Sequence, residues 1–182
     1  MDQGLIPRRY AKALYEVGEE RSENDQLYSL MGRLAAAFAQ TPGLSATVAN
    51  PFVGDADKTR LLTAAVCGAG ATPDKTYEDF LRLLEKNGRM GMARDIAIAF
   101  VNLYRAKHQI YLVRVSSAAP LGEQEKLRLE NIIAKHIGKG TMEFDYTVDP
   151  SLIGGFTVSV NSERLDASVS NELKQLRLSL VK

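Results

Sequence analysis

Apolar residues recur at helical spacing through the first hundred residues and alternate with polar ones through much of the remainder. Pro7 sits near a helix start, where a missing N–H costs nothing. After it, Tyr10, Leu14 and Val17, with Ala11 and Ala13 beside them, trace a first helix to about Arg21. Asn24 or Asp25 is placed to cap a second, with Leu27, Leu30, Met31, Leu34, Ala35 and Phe38 on one face. Thr41-Pro42 opens and Asn50-Pro51 stops a short third segment, which Gly43, Thr47 and Val48 weaken. Asp55 begins a fourth, lined by Leu61, Leu62, Ala65 and Val66 and capped by Gly68. Thr72-Pro73-Asp74 introduces a fifth. Its Tyr77, Phe80, Leu81 and Leu84 fall at i, i+3, i+4 and i+7 before Gly88 closes it. The sixth carries Ala93, Ile96, Ala97, Phe100, Val101 and Tyr104. Six such segments with short connections predict an antiparallel bundle.

The period then changes. Residues 110–115, Ile-Tyr-Leu-Val-Arg-Val, are β-branched and aromatic and predict a strand. Gly122 to Ile137 returns to helix, with Leu129, Ile132, Ile133 and Ile137 on one side and glycines 138 and 140 ending it. Met142, Phe144, Tyr146 and Val148 alternate with polar residues, as Phe156, Val158 and Val160 do later. Asp149-Pro150 and Gly154-Gly155 bracket the turn between these two strands. Ser168 or Asp166 is placed to cap a final helix whose seam is Val169, Leu173, Leu176 and Leu180. The expected fold is an N-terminal all-α six-helix bundle over about 1–105, followed by a small α+β domain over about 106–182.

Charge narrows the function classes. Lys+Arg is 23 and Asp+Glu is 22 over 182 residues, a net charge of +1. The balance holds on both sides of Arg105, with 13 basic and 13 acidic residues up to it and 10 and 9 after. Nucleic-acid binders show a basic surplus or stripe, and polybasic membrane anchors need a cluster; neither is present. No apolar run reaches the length of a membrane span, and the N-terminus lacks a signal-peptide plan. An intracellular protein without nucleic-acid partners or direct bilayer insertion is expected.

Catalytic signatures are sparse. The single Cys67 excludes an internal disulfide, and His108 and His136 have no zinc-site spacing. Gly138-Lys139-Gly140 lacks the upstream glycine and following hydroxyl of a phosphate loop. Gly88-Arg89-Met90-Gly91 follows a helix, not a strand, and suits a helix–helix corner. No nucleophile-elbow pattern surrounds Ser151 or Ser168. Cys67 reads as a small apolar thiol, His136 as a donor in a helix's last turn, and Met90 and Met92 as gap-fillers. No catalytic residue, cofactor or metal is expected, and the residues by themselves point to a binding module.

Three stretches go further: Arg8-Arg9-Tyr10-Ala11-Lys12-Ala13-Leu14-Tyr15, Glu85-Lys86-Asn87-Gly88-Arg89-Met90, and Asp149-Pro150-Ser151-Leu152-Ile153-Gly154-Gly155-Phe156 followed by Arg164-Leu165-Asp166-Ala167-Ser168-Val169. In this order and spacing the chain resembles the delta-subunit family of bacterial F-type ATP synthases, relatives of the oligomycin-sensitivity conferral protein. The resemblance spans nearly the whole length.

It implies a non-catalytic stator part of the peripheral stalk, joining the catalytic head to the b-type stalk and resisting rotation during proton-driven ATP synthesis. The implied location is the cytoplasmic face of the bacterial inner membrane. The helical part would bind the head's alpha (and beta) subunits, and the α+β part the b-type stalk subunits. Within the family, helical segments of alpha subunits dock between the first and fifth helices. Here that assigns Tyr10, Ala13, Leu14, Val17, Tyr77, Phe80, Leu84 and Asn87 to the docking groove. Gly88, Gly154 and Gly155 are assigned to structural turns, and Val158, Val169, Leu173, Leu176 and Leu180 to stalk contact. The alternatives are a stand-alone helical adaptor or regulator and an enzyme with a dispersed site, the latter requiring a deep pocket with His136, Ser151 and an acid.

Overall fold

The computed structural model describes residues 4–68, 74–137, 140–160 and 163–171, with His136, Ile137, Glu163 and Arg164 described by backbone alone. Backbone contacts divide the chain into two compact units, Met1–Ala106 and Lys107–Lys182. The chain is mostly helical, with a small four-stranded sheet in the second unit.

The first unit holds α1 (Leu5–Arg21), α2 (Asn24–Gln40), α3 (Pro42–Ala49), α4 (Asp55–Cys67), α5 (Lys75–Lys86), a 3-10 turn (Met90–Met92) and α6 (Ala93–Lys107). Its core is the apolar stripe of each helix: Leu27, Met31 and Leu34 from α2, Leu62 from α4, Leu84 from α5 and Phe100 from α6 are fully buried. Two stripes differ from the sequence reading. On α1 the buried residues are Pro7, Ala11, Leu14, Tyr15 and Gly18, so the buried line is rotated away from Tyr10 and Val17. Gly18 lies on that line against the start of α2, where an added Cβ would meet the Asn24 side chain and stand 2.7 Å from Leu27 Cδ1. On α4, Leu61 is exposed and Leu62 takes the core position.

Backbone conformation sets two of the helix ends. Neither Asn24 nor Asp25 caps α2: the helix begins at Asn24 after Glu23, with no side-chain cap. The chain instead reverses through Ser22, whose left-handed backbone (φ 56°) lets its N–H reach the Glu19 carbonyl. Gly88 closes α5 at φ +61°, a region where glycine carries no Cβ penalty. Its N–H bonds the Glu85 carbonyl at 2.9 Å and the Arg89 N–H bonds that of Leu84 at 2.8 Å, the paired pattern that satisfies the last helical carbonyls.

The second unit holds β1 (Ile110–Ser117), α7 (Glu123–Ile137), β2 (Thr141–Val148), β3 (Gly155–Val160) and β4 (Glu163–Ser168), with strand order β2-β1-β3-β4. β1 and β2 are parallel, Val113 facing Phe144 and Val115 facing Tyr146. β3 runs antiparallel to β1 and β4 antiparallel to β3. The β4 strand was not expected, because Glu-Arg-Leu-Asp-Ala-Ser has no β-branched or aromatic residue. Val113, Val115 and Val158 form a core with Leu129 and Ile133 of α7. Ile132, expected on that face, is 66% exposed. After β4, Ser168 caps a helical turn: its Oγ accepts from the Asn171 N–H at 3.2 Å.

Candidate docking groove on the helical unit

A groove of about 210 Å³ runs between α1 and α5. Its floor is apolar: Ala13, Leu14 and Val17 from α1, Phe80 and Leu83 from α5. The two helices meet head to tail, so Tyr10 lies near the end of α5 and Arg21 near its start. Five of the eight residues assigned to this groove line it: Tyr10, Ala13, Leu14, Val17 and Phe80. Ala13 keeps the floor low, and Val17 and Leu83 stay open to solvent, 36% and 45% exposed.

Tyr77 and Leu84 sit elsewhere. Both are fully buried. The Tyr77 hydroxyl donates to the Leu62 carbonyl at 3.2 Å, and burial pushes its pKa well above the ordinary tyrosine value. These two residues hold α5 against the core and so fix the direction in which Phe80 and Leu83 project. Asn87 stands at the groove's end, where its Nδ2 donates to the Tyr10 hydroxyl at 2.9 Å.

Both ends of the groove are closed by polar contacts that join residues far apart in sequence. At one end the Tyr10 hydroxyl accepts from Asn87 and also from Arg89 Nη1 at 3.1 Å, and the Arg89 guanidinium lies 5.6 Å over the Tyr10 ring. The opening Arg-Arg-Tyr motif and the Asn-Gly-Arg corner are thereby one structural feature. At the other end Arg21 Nη1 donates to Thr76 Oγ1 at 2.7 Å and approaches Asp79 at 3.5 Å, while Thr76 donates to Glu23. Arg21, Thr76, Asp79 and Leu83 were not foreseen as groove residues. The available signal was their place one step beside the apolar stripes.

A larger hollow of about 710 Å³ flanks α1 on its α6 side, where Arg8, Lys12, Asp95 and Asn102 join Pro7 and Ile98. Its mixed lining offers less continuous apolar floor than the α1/α5 groove.

In the second unit, Gly155 opens β3 at φ +79°, and an added Cβ would strike the Ala167 carbonyl oxygen. Gly154 accepts the Val169 N–H at 3.0 Å with Val169 Cγ2 close by, 3.1 Å from where a Cβ would stand. Val158 is buried in the core and Val169 is partly exposed, while Leu173, Leu176 and Leu180 lie outside the described residues. The Ser151 hydroxyl and N–H both donate to Asp149 Oδ1, at 2.6 and 3.0 Å, which holds that carboxyl below its usual pKa. The His136 side chain, residues 69–73 of the α4–α5 connection, and Lys139 lie outside the described residues. Among the described residues no group of three or more metal-ligating side chains converges, and no helix is long and apolar enough to cross a membrane.

The family model described as "ATP synthase delta (OSCP) subunit" matches residues 6–180. A Parabacteroides distasonis protein named ATP synthase subunit delta is 34% identical over 181 residues, covering 100% of this chain and 98% of its own. The Bacteroides thetaiotaomicron protein of the same name is 33% identical over 181 residues, covering 100% and 96%. Among solved structures, a chain of the Toxoplasma gondii mitochondrial ATP synthase hexamer shares the fold with a TM-score of 0.72 and 18% identity, covering 97% of this chain and 98% of that one.

Proposed function

The chain belongs to the ATP synthase delta (OSCP) subunit family, and from that premise we propose how its two units divide the work of a non-catalytic peripheral-stalk subunit. The helical unit is a six-helix bundle that binds the catalytic head through alpha (and beta) subunits. The α+β unit binds the b-type stalk. The protein is peripheral to the membrane, at the cytoplasmic face of a bacterial inner membrane.

The α1/α5 groove carries this reading. An amphipathic helix laid into an apolar groove is a common recognition mode. Here the floor is apolar, with Ala13, Val17 and Leu83 open to solvent over the almost fully buried Leu14 and Phe80, and it is held from below by a buried tyrosine and leucine. A stator bears repeated torque, and one short helix in one groove is a small contact. Several linked attachments raise the effective concentration of each, so binding is multivalent.

The test is a pull-down from detergent-solubilised bacterial membranes with the full chain as bait. Alpha, beta and b-type subunits are all recovered together. Ala13→Trp, which fills the groove, sharply reduces direct capture of an isolated head while leaving capture of isolated stalk subunits intact. Equal capture of the isolated head by both baits overturns the groove assignment.

A further inference from the structure

The two ends of the α1/α5 groove differ in how their arginine is paired. At the Arg21 end the guanidinium meets Asp79 directly and Glu23 through the Thr76 hydroxyl, so this arginine is already paired, with Asp79 shared with Arg82 at 3.9 Å. At the Tyr10 end Arg89 is half-buried, stacked over the tyrosine ring and hydrogen-bonded to its hydroxyl. Among the described residues it meets no carboxylate. A guanidinium has five N–H donors in a fixed fork, and Tyr10 uses one. The stack also removes much of the rotational freedom that an arginine otherwise loses on binding.

A docked helix is itself polar end to end, with partial positive charge at its N-terminus and partial negative charge at its C-terminus. Tyr10 and Arg21 are eleven residues apart on α1, about 16 Å, which matches three turns of a partner helix. Resting on the groove reading above, we propose that Arg89 is the anchor for the negative end of the docked segment. The occupant is an amphipathic helix of three turns, with an acidic residue in its last turn. It lies with its C-terminal end at Tyr10 and Arg89 and its N-terminal end at Arg21 and Asp79. The groove therefore sets the direction of its partner as well as its apolar face.

The experiment uses the full chain and a synthetic peptide of the N-terminal helical segment of an alpha subunit from the same organism. The peptide is made with Glu or Gln in its last helical turn, and again with Glu or Gln in its first. Affinities are read by fluorescence anisotropy against wild type, Arg89→Gln, Arg89→Lys and Ala13→Trp. The last-turn Glu peptide binds wild type about 5-fold more tightly than its Gln counterpart. That advantage disappears in Arg89→Gln and persists in Arg89→Lys. A merely structural role for Arg89 would weaken all peptides alike and leave the Glu-to-Gln ratio unchanged, which overturns the proposal. An Arg89-dependent advantage for the first-turn acid overturns it too, because the direction is then reversed. If Ala13→Trp binds every peptide as well as wild type does, the groove reading itself falls, a result distinct from a failure at Arg89.

Discussion

The two units use their apolar residues differently. In the helical unit the apolar surface of α5 is wider than the core needs, and its margin is left over beside the groove: Leu84 is fully buried while the adjacent Leu83 is 45% exposed. In the α+β unit Val113, Val115 and Val158 are all consumed between the sheet and α7. Among the described residues, Leu127, Ile132, Val148, Ile153, Leu165 and Val169 of this unit stay exposed. Core and proposed binding surface are thus neighbours on one helix in the first unit. In the second, Val158 belongs to the core, which leaves little of it for the stalk contact assigned to it.

The largest expected effect breaks the second unit alone. Gly155→Val places a β-branched residue at positive φ and drives its Cβ into the Ala167 carbonyl, the register partner of Phe156. The two effects together cost roughly 3–5 kcal/mol. Hydrogen exchange should show protection lost across β1, β3 and β4 and kept in α1, α2 and α6. Loss in both units at once would show that the two do not unfold independently. Leu84→Ala is the counterpart in the helical unit: it opens a cavity beneath α5 and costs about 3 kcal/mol in urea unfolding. Because Leu84 supports the groove from below, peptide binding falls with it.

Alkaline pH separates a third contribution. Tyr104 is stacked on Tyr28 at 4.3 Å and donates to Asp25, and burial followed by that hydrogen bond pushes its pKa up to about 12. An unfolded tyrosine releases its proton near pH ~10. Between these values the folded chain keeps a proton that the unfolded chain has lost. The stabilisation is therefore complete below pH ~10 and disappears as pH rises towards about 12. Denaturant midpoints measured across this window should fall more steeply for wild type than for Tyr104→Phe. Identical slopes would show that the Tyr104–Asp25 contact contributes nothing to the pH dependence.

Sequence pattern located the strongly periodic elements because each has a wide apolar face. It did not reveal β4, an edge strand without β-branched or aromatic residues whose pairing with β3 supplies what its composition lacks. It also did not separate core from groove on α5, since Tyr77, Phe80, Leu81 and Leu84 share one stripe and only tertiary packing decides which sits at the centre. The groove's polar ends were hidden for a different reason. Arg21 with Thr76 and Tyr10 with Arg89 are separated by 55 and 79 residues, beyond any local periodicity. The motif that opens the chain and the Asn-Gly-Arg corner were both visible as segments. Their contact through one tyrosine hydroxyl was not.

The smallest effect on stability is the most informative about the groove. Leu83 is adjacent to a fully buried residue, yet nearly half its surface faces solvent. Leu83→Asp therefore removes little packing and leaves the unfolding free energy within about 0.5 kcal/mol of wild type, the usual range for surface changes. The same change puts a carboxylate on the apolar floor beside Phe80 and near Asp79. A docked helix would have to desolvate that charge without a partner, so affinity for the head segment should fall at least roughly tenfold. Leu84→Ala has the opposite signature, losing stability first and binding as a consequence. A Leu83→Asp protein that binds normally would mean that the exposed margin of α5 is only surplus apolar surface. One that unfolds like Leu84→Ala would mean that the margin is part of the core after all.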